Sequence, residues 1–335
     1  MPVETHQPLV IECTRGTIVE SRHVVDAAVV DAAGQLVTAW GDTETMVYPR
    51  SGIKSVQVLP LIETGVAYQL DVTDEEIAVA CSSHNAQDKH LSVVRNWLKR
   101  CGLNESHLEC GGHLPYDTAA AHACIRVGDA GQPIHNMCSG KHSGILATAL
   151  TLGEPTAGYV HRDHPAQMRV SQAVADMSDT DLQHAPFAVD GCSIPTIGMP
   201  LAALALAAAR IADPAKLTPA RQAAIKRIRG AIAAHPFMIA GDGRACTRVI
   251  EATSGRALVK FGAEGVFFAA LTDLGLGLAL KVRDGTTRAT DVALATLLDR
   301  LAVLDSDNHR DLADMLATPL RNWAGIEVGV VRAAT

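Results

Sequence analysis

The sequence predicts a mixed α/β (α+β) fold in which strands from both ends of the chain form one antiparallel sheet and the middle forms a helical lobe. Three observations carry this. β-Branched residues and Gly turns fill residues 8–41, the same texture returns after Pro236, and between them apolar residues recur at helical spacing behind recognisable caps. Residues 1–72 and 236–335 are therefore expected in the sheet lobe and 73–235 in the helical lobe of a single two-lobed unit.

In order along the chain, "PLVIECTRGTIVES" and "HVVDAAVVDAAGQLVTAWGD" read as hairpin-like units with turns at Gly16 and Gly34. At Thr73 the period changes: Thr73 and Glu76 have the spacing of a capping box, and "KHLSVVRNWLKRCG" keeps helical spacing up to a stop at Gly102. Further helices are expected at 141–152, 164–177, 199–212 and 219–234. The last has Thr218 as its cap, Pro219 at its first position and Pro236 beyond its end. "RALVKFGAEGVFFAALTDLGLGLALKVRDG" then gives three strands separated by Gly turns, and "ATDVALATLLDRLAVL" a closing amphipathic helix.

Composition narrows the class of protein. With 335 residues, 48% hydrophobic and 19% charged, the chain has the balance of a soluble globular protein. "MPLAALALAAARIA" is interrupted by Arg210 and falls short of the roughly 20 residues a membrane span needs, so it reads as a buried helix. The N-terminus lacks the basic and then apolar order of a secretory signal, which makes a cytoplasmic location the expectation. A net charge of -7 without a basic tract argues against a nucleic-acid partner. The eight cysteines include no C-x-x-C pair, so neither a ribbon-type zinc module nor a thioredoxin motif is present.

Three short patterns carry chemistry. In "RSGIKSVQ", residues 50–57, Ser51 and Lys54 stand three apart, a spacing that puts both on one face of a helical turn. "SHN", Ser83 to Asn85, and "KFG", Lys260 to Gly262, follow in order. S-x-x-K, S-x-N and K-x-G in that sequence are the chain order of the penicilloyl-serine hydrolases, the β-lactamase and penicillin-binding-protein group. A serine becomes nucleophilic when a neutral amine takes its proton, and two neighbouring ammonium groups disfavour one another's ionisation. Lys260 is thus the expected second cation, and Ser83 the expected relay of a proton to a departing amine. "SDN" at Ser306 to Asn308 also fits S-x-N, but it follows the closing helix, where Ser and Asp cap or turn the chain.

A second cluster lies in "HNMCSGKHSG", residues 135–144, and "VDGCSIPT", residues 189–196. Cys138 and Lys141 are three apart and flanked by His135 and His142; Asp190 and Cys192 come from the second segment. Two cysteines and one further donor could make a tetrahedral zinc site, but the spacing does not establish it, and without C-x-x-C or H-E-x-x-H the simple burial of free cysteines is the commoner reason for such residues.

Taken together, "PRSGIKSVQ", "CSSHN", "MCSGKHSG", "VDGCSIPT" and "VKFGAEGVF" resemble the rhizobial-type L-asparaginases, the asparaginase II family, from the N-terminal strands to about residue 280. The resemblance implies a fold similar to serine β-lactamases and glutaminases, which is also that of the penicillin-binding proteins, hydrolysis of L-asparagine to L-aspartate and ammonia, and a homodimer. It implies two Ser-Lys pairs, Ser51 with Lys54 and Ser83 with Lys260. It further implies a Zn2+ ion held by Cys138, Lys141 and Cys192 with a water, Asp190 beside that metal, and Arg50 and His142 close to the substrate. An amine coordinates zinc only when deprotonated, which gives the unusual lysine a chemical condition to meet. A glutaminase or another β-lactamase-like Ser-Lys amidohydrolase shares every one of these motifs and is the alternative.

Overall fold

The computed structural model describes residues 4–334 and is mixed α/β. The chain divides into two compact units. One contains the residues up to Gly52, Met199–Asp213 and those from Arg248 onward; the other contains Ile53–Gly198 and Pro214–Thr247.

The first unit is built on the sheet that both termini were expected to form. Its strands lie in the order Ala317–Arg321, Glu327–Ala333, Leu9–Arg15, Ile18–Asp31, Leu276–Val282, Val266–Leu271 and Ala257–Gly262, all neighbours antiparallel. Leu36–Trp40 also pairs with Ile18–Asp31, and Glu4–His6 adds to it in parallel. The central strand is buried from Val25 to Val30, as its near-continuous apolar run demands, except that Asp26 sits within it. A buried carboxylate needs partners. Asp26 receives two hydrogen bonds of 2.8 Å from the Arg283 guanidinium and one of 2.9 Å from the Asp42 amide.

The Ala-rich run forms the helix Leu201–Ala212, which packs on Ile18–Asp31, Val266–Leu271 and Leu276–Val282. Small side chains let the helix backbone come down onto the sheet. At the point of nearest approach the strand carries Gly277, where a Cβ would overlap the Ala205 carbonyl and the Ala209 amide.

The second unit is helical. It contains the helices Asp74–Ala80, Asp88–Arg100, Ser139–Thr151, Pro165–Ser178 and Pro219–Ala234, and a two-stranded ribbon of Phe187–Val189 with Pro195–Ile197. The capping box forms: the Glu76 amide donates to Thr73 Oγ1 at 3.2 Å and the Thr73 amide to Glu76 Oε2 at 2.9 Å. Thr218 caps the helix that begins at Pro219.

The expected boundaries at residues 72 and 236 fall elsewhere, for physical reasons. Leu201–Ala212 joins the sheet unit because its alanines fit that face. Residues 54–69 form three short helices, Lys54–Gln57, Leu59–Glu63 and Val66–Gln69, that belong to the helical unit. Four or five residues are too few to show a helical period in sequence. The hairpin Ala317–Arg321 with Glu327–Ala333, absent from the expected strands, extends the sheet beside Leu9–Arg15. Its first strand contains Pro319, a residue that weakens a strand pattern but is tolerated at a sheet edge. "SDN" opens the helix Ser306–Asp311, with the Asp305 carboxylate accepting from the Asp307 and Asn308 amides. Among the described residues no helix is long and apolar enough to cross a membrane.

Candidate active site

In the sheet unit, Arg50 and Ser51 sit on the single-turn helix Arg50–Ile53, closed by the Gly52 amide donating to the Pro49 carbonyl at 2.9 Å. Arg50 has φ +51°, the left-handed region that costs a side chain about 1 kcal/mol or more. The turn lies against the strand Ala257–Gly262. A Cβ on Gly262 would overlap the Pro49 carbonyl, and one on Gly52 would stand 3.7 Å from the Lys260 carbonyl. The glycine of K-x-G is there to let the serine turn approach. Lys260 is buried, with its Nζ donating to the Phe261 carbonyl at 2.7 Å and 6.0 Å from that ring's centroid.

In the helical unit, Lys54 opens the helix Lys54–Gln57 and is fully buried. Its Nζ donates to Ser83 Oγ at 3.0 Å, to Cys138 Sγ at 3.2 Å, and to the Ser82 carbonyl. Ser83 follows the capped helix Asp74–Ala80 on an extended segment held by backbone bonds, Ser83 N–H to the Ile239 carbonyl at 2.9 Å and His84 N–H to the Met137 carbonyl at 3.3 Å. His84 ties the same two segments by its ring. Its Nδ1 accepts from the Ala86 amide at 3.1 Å, so Nε2 carries the proton and donates to Ser139 Oγ at 2.9 Å. Burial above all, then the charges of His90 and Lys54, holds His84 well below the usual histidine range. Asn85 packs against Gly241, whose missing Cβ makes room for the amide.

Cys138 precedes the helix Ser139–Thr151, which carries Lys141 and His142. This helix sits directly on Asp74–Ala80, because a Cβ at Gly140 would overlap the Val79 carbonyl. The glycine in "CSGKHSG" thereby sets the distance between Cys138 and the segment leading to Ser83. Gly140→Ala is expected to cost about 1–3 kcal/mol through overpacking, read as a lowered melting temperature. An unchanged melting temperature would show that the two backbones are free to separate.

Cys192 sits in a tight turn in which Asp190 N–H donates to the Ile194 carbonyl and Ser193 N–H to the Asp190 carbonyl, both at 2.8 Å, with Ser193 at φ +75°. Lys141 Nζ donates to Cys192 Sγ at 3.1 Å. The hydrogen bond to Cys192, then burial, pushes the Cys138 thiol up to about 12. Cys192 is held well below the ordinary thiol value, by that same bond and then by the Lys141 charge, against the cost of burial. Burial works against the Lys141 ammonium, but Cys192 and Cys138 outweigh it and keep it above the usual lysine range.

Cys138, Lys141 and Cys192 are therefore a buried S, S, N donor set in which Cys192 is hydrogen-bonded to both Lys141 and Cys138. Two thiols and an amine that meet with one position left over fit a tetrahedral zinc ion once the bound protons leave. A second group, Cys124, Asp129 and His135, also converges. It fits a metal less well: His135 Nδ1 accepts from the Gln132 amide at 2.9 Å, so in the neutral ring the proton is on Nε2, the nitrogen facing Cys124 Sγ at 3.9 Å.

His142 is fully buried and pushed down to about 3, by burial and then by the Lys141 charge. Its Nδ1 lies 2.6 Å from the hydroxyl of Tyr159, which also accepts from the Glu109 amide at 3.0 Å. Neither Tyr159 nor Glu109 stands in a motif, and no local signal pointed to them. Lys54, Ser83, Cys138, Lys141, His142 and Cys192 thus form a buried cluster within the helical unit, with Asp190 acting on it electrostatically. Arg50, Ser51 and Lys260 belong to the sheet unit.

Among solved structures the chain is similar to Mglu in its native form, at 14% identity and a TM-score of 0.47, covering 84% of this chain and 66% of that one. It is similar also to a β-lactamase from Mycobacterium bovis, at 16% identity and a TM-score of 0.43, covering 84% of this chain and 95% of that one. The chain spans just under two thirds of the length of Mglu. No curated protein matches it in sequence. The L-asparaginase II family model matches residues 11–333, nearly the whole length, and the chain belongs to the L-asparaginase II family.

Proposed function

We propose that the chain is an amidohydrolase that hydrolyses the side-chain amide of L-asparagine to L-aspartate and ammonia through a Ser-Lys nucleophile and an acyl-enzyme. The family match supports the reaction class. The observation that carries the mechanism is Lys54, a fully buried amine three residues after Ser51 whose Nζ is 3.0 Å from a second hydroxyl, Ser83 Oγ. Ser51 attacks the amide carbon, Lys54 takes its proton, and Ser83 passes a proton to the departing ammonia. Water then hydrolyses the β-aspartyl ester. Lys260 supplies the second cation, and Arg50, His142 and Asp190 bind the substrate's polar groups. The working form is a cytoplasmic homodimer.

Cys138, Lys141 and Cys192 are the residues that would hold one Zn2+ per subunit. When bound, the ion supplies a fixed positive charge that orders the substrate, since a serine nucleophile is already at hand. Elemental analysis is expected to find about one zinc per chain, and Cys192→Ser to lower that occupancy. A fully active, zinc-free protein would remove the metal from the reading.

Ammonia release from a panel of small amides tests the substrate. L-asparagine is expected to give the highest kcat/KM. A higher value on L-glutamine would make the chain a glutaminase with the same Ser-Lys chemistry.

A further inference from the structure

We propose that Tyr159 is a positioning residue that fixes His142 in its Nε2–H tautomer, so that a neutral N–H donor is presented to an oxygen of the bound substrate. The second half of this rests on the asparaginase reading; the first half stands on the geometry alone.

The hydrogen-bond roles are set from the outside inward. The Glu109 backbone N–H can only donate, so the Tyr159 oxygen accepts it at 3.0 Å. Tyr159 is fully buried, and burial above all holds its phenol far above its usual range, so the hydroxyl keeps its proton. That proton needs an acceptor, and His142 Nδ1 lies 2.6 Å away. With Nδ1 accepting, the ring proton of neutral His142 is on Nε2. The opposite assignment, Nδ1–H donating to the phenol, would strand the buried hydroxyl proton and leave Nε2 as a bare acceptor.

His142 Nε2 is buried and has no hydrogen-bond partner among the described residues. A buried orphan N–H is costly, and the cost is recovered when a ligand accepts from it. His142 directly follows Lys141 on the buried start of the helix Ser139–Thr151, behind Cys138, whose Sγ accepts from Lys54 Nζ, so it stands with the cluster that holds Lys54 and Ser83. The group it suits is an uncrowded acceptor oxygen, a carboxylate or amide carbonyl. Tyr159 is itself anchored on both sides: Gln167 Nε2 donates to its carbonyl at 2.8 Å, and the preceding Gly158 amide donates to Glu109 Oε1 at 2.8 Å.

The test is nitrogen-15 NMR of imidazole-labelled protein without substrate, with the His142 resonances assigned by their loss in His142→Gln. The expected result is an unprotonated Nδ1 and a protonated Nε2 in the native protein, and a shift toward the other tautomer in Tyr159→Phe. The same variant is expected to lose about tenfold in kcat/KM for L-asparagine, mainly through KM, the size of one lost hydrogen bond. His142→Gln, which keeps an N–H donor at the end of the side chain, is expected to retain more activity than His142→Leu. A native ring protonated on Nδ1, or a Tyr159→Phe protein with both tautomer and kinetics unchanged, overturns the proposal. Should the tautomer behave as stated while asparagine is not a substrate, the asparaginase reading fails and the positioning role of Tyr159 stands.

Discussion

Ser51→Ala is expected to abolish ammonia release from L-asparagine, lowering kcat by roughly 10⁴-fold or more, with the fold retained. The loss is large because no other part of the proposed mechanism forms the covalent bond. The fold is retained because the turn around Ser51 is closed by backbone atoms, Gly52 N–H to the Pro49 carbonyl, and by the fit of Gly262 beneath it. Ser83→Ala is expected to lose less, about 10²–10³-fold, and still to accumulate a β-aspartyl adduct that acid quench and peptide mass spectrometry place on Ser51. The contact between Lys54 Nζ and Ser83 Oγ makes Ser83 the competitor for the same role. An adduct on Ser83 that persists in Ser51→Ala would exchange the two serines and leave the rest of the chemistry as it is.

How much of this was legible in the sequence depended on range. Helix starts were legible because a cap is a contact between residues three apart: Thr73 with Glu76, and Thr218 with Arg221, act as their spacing predicts. The strands flanking Gly16 and Gly34 and the three between Ala257 and Val282 were legible from β-branched runs and Gly turns. The short helices over 54–69 and the C-terminal hairpin were not, since the former complete little more than one turn each and the latter carries Pro319. At the site, the motifs named residues but not partners. Lys54 and Ser83 are 29 positions apart, and Lys141 and Cys192 are 51. Tyr159 reached His142 through a contact with no motif behind it, and the two glycines that set the close approaches, Gly140 and Gly262, announce themselves only when the opposing carbonyls of Val79 and Pro49 are seen.

The second large effect is expected at Lys54. Lys54→Met should lower kcat by about 10²–10⁴-fold, the usual worth of a general base, and yet remain folded. Removing one member of a buried ion pair usually unfolds a protein because it strands the other charge. Two of the groups that Lys54 Nζ contacts are a carbonyl and a hydroxyl, and the third, Cys138, has its thiol pushed up to about 12. None of the three is left as an unpaired buried ion, so the expected cost is that of unmade hydrogen bonds, about 1–3 kcal/mol, visible as a lower melting temperature. Lys54→Arg separates the base from the mere cation: a guanidinium keeps the positive charge but does not give up its proton at working pH. If Lys54 acts as the base, Lys54→Arg is as inactive as Lys54→Met even where it is more stable. Should Lys54→Arg turn over asparagine at near the native rate, Lys54 is a fixed cation and the proton of the attacking serine leaves by another route, with Lys260 the next residue to test by the same pair of substitutions.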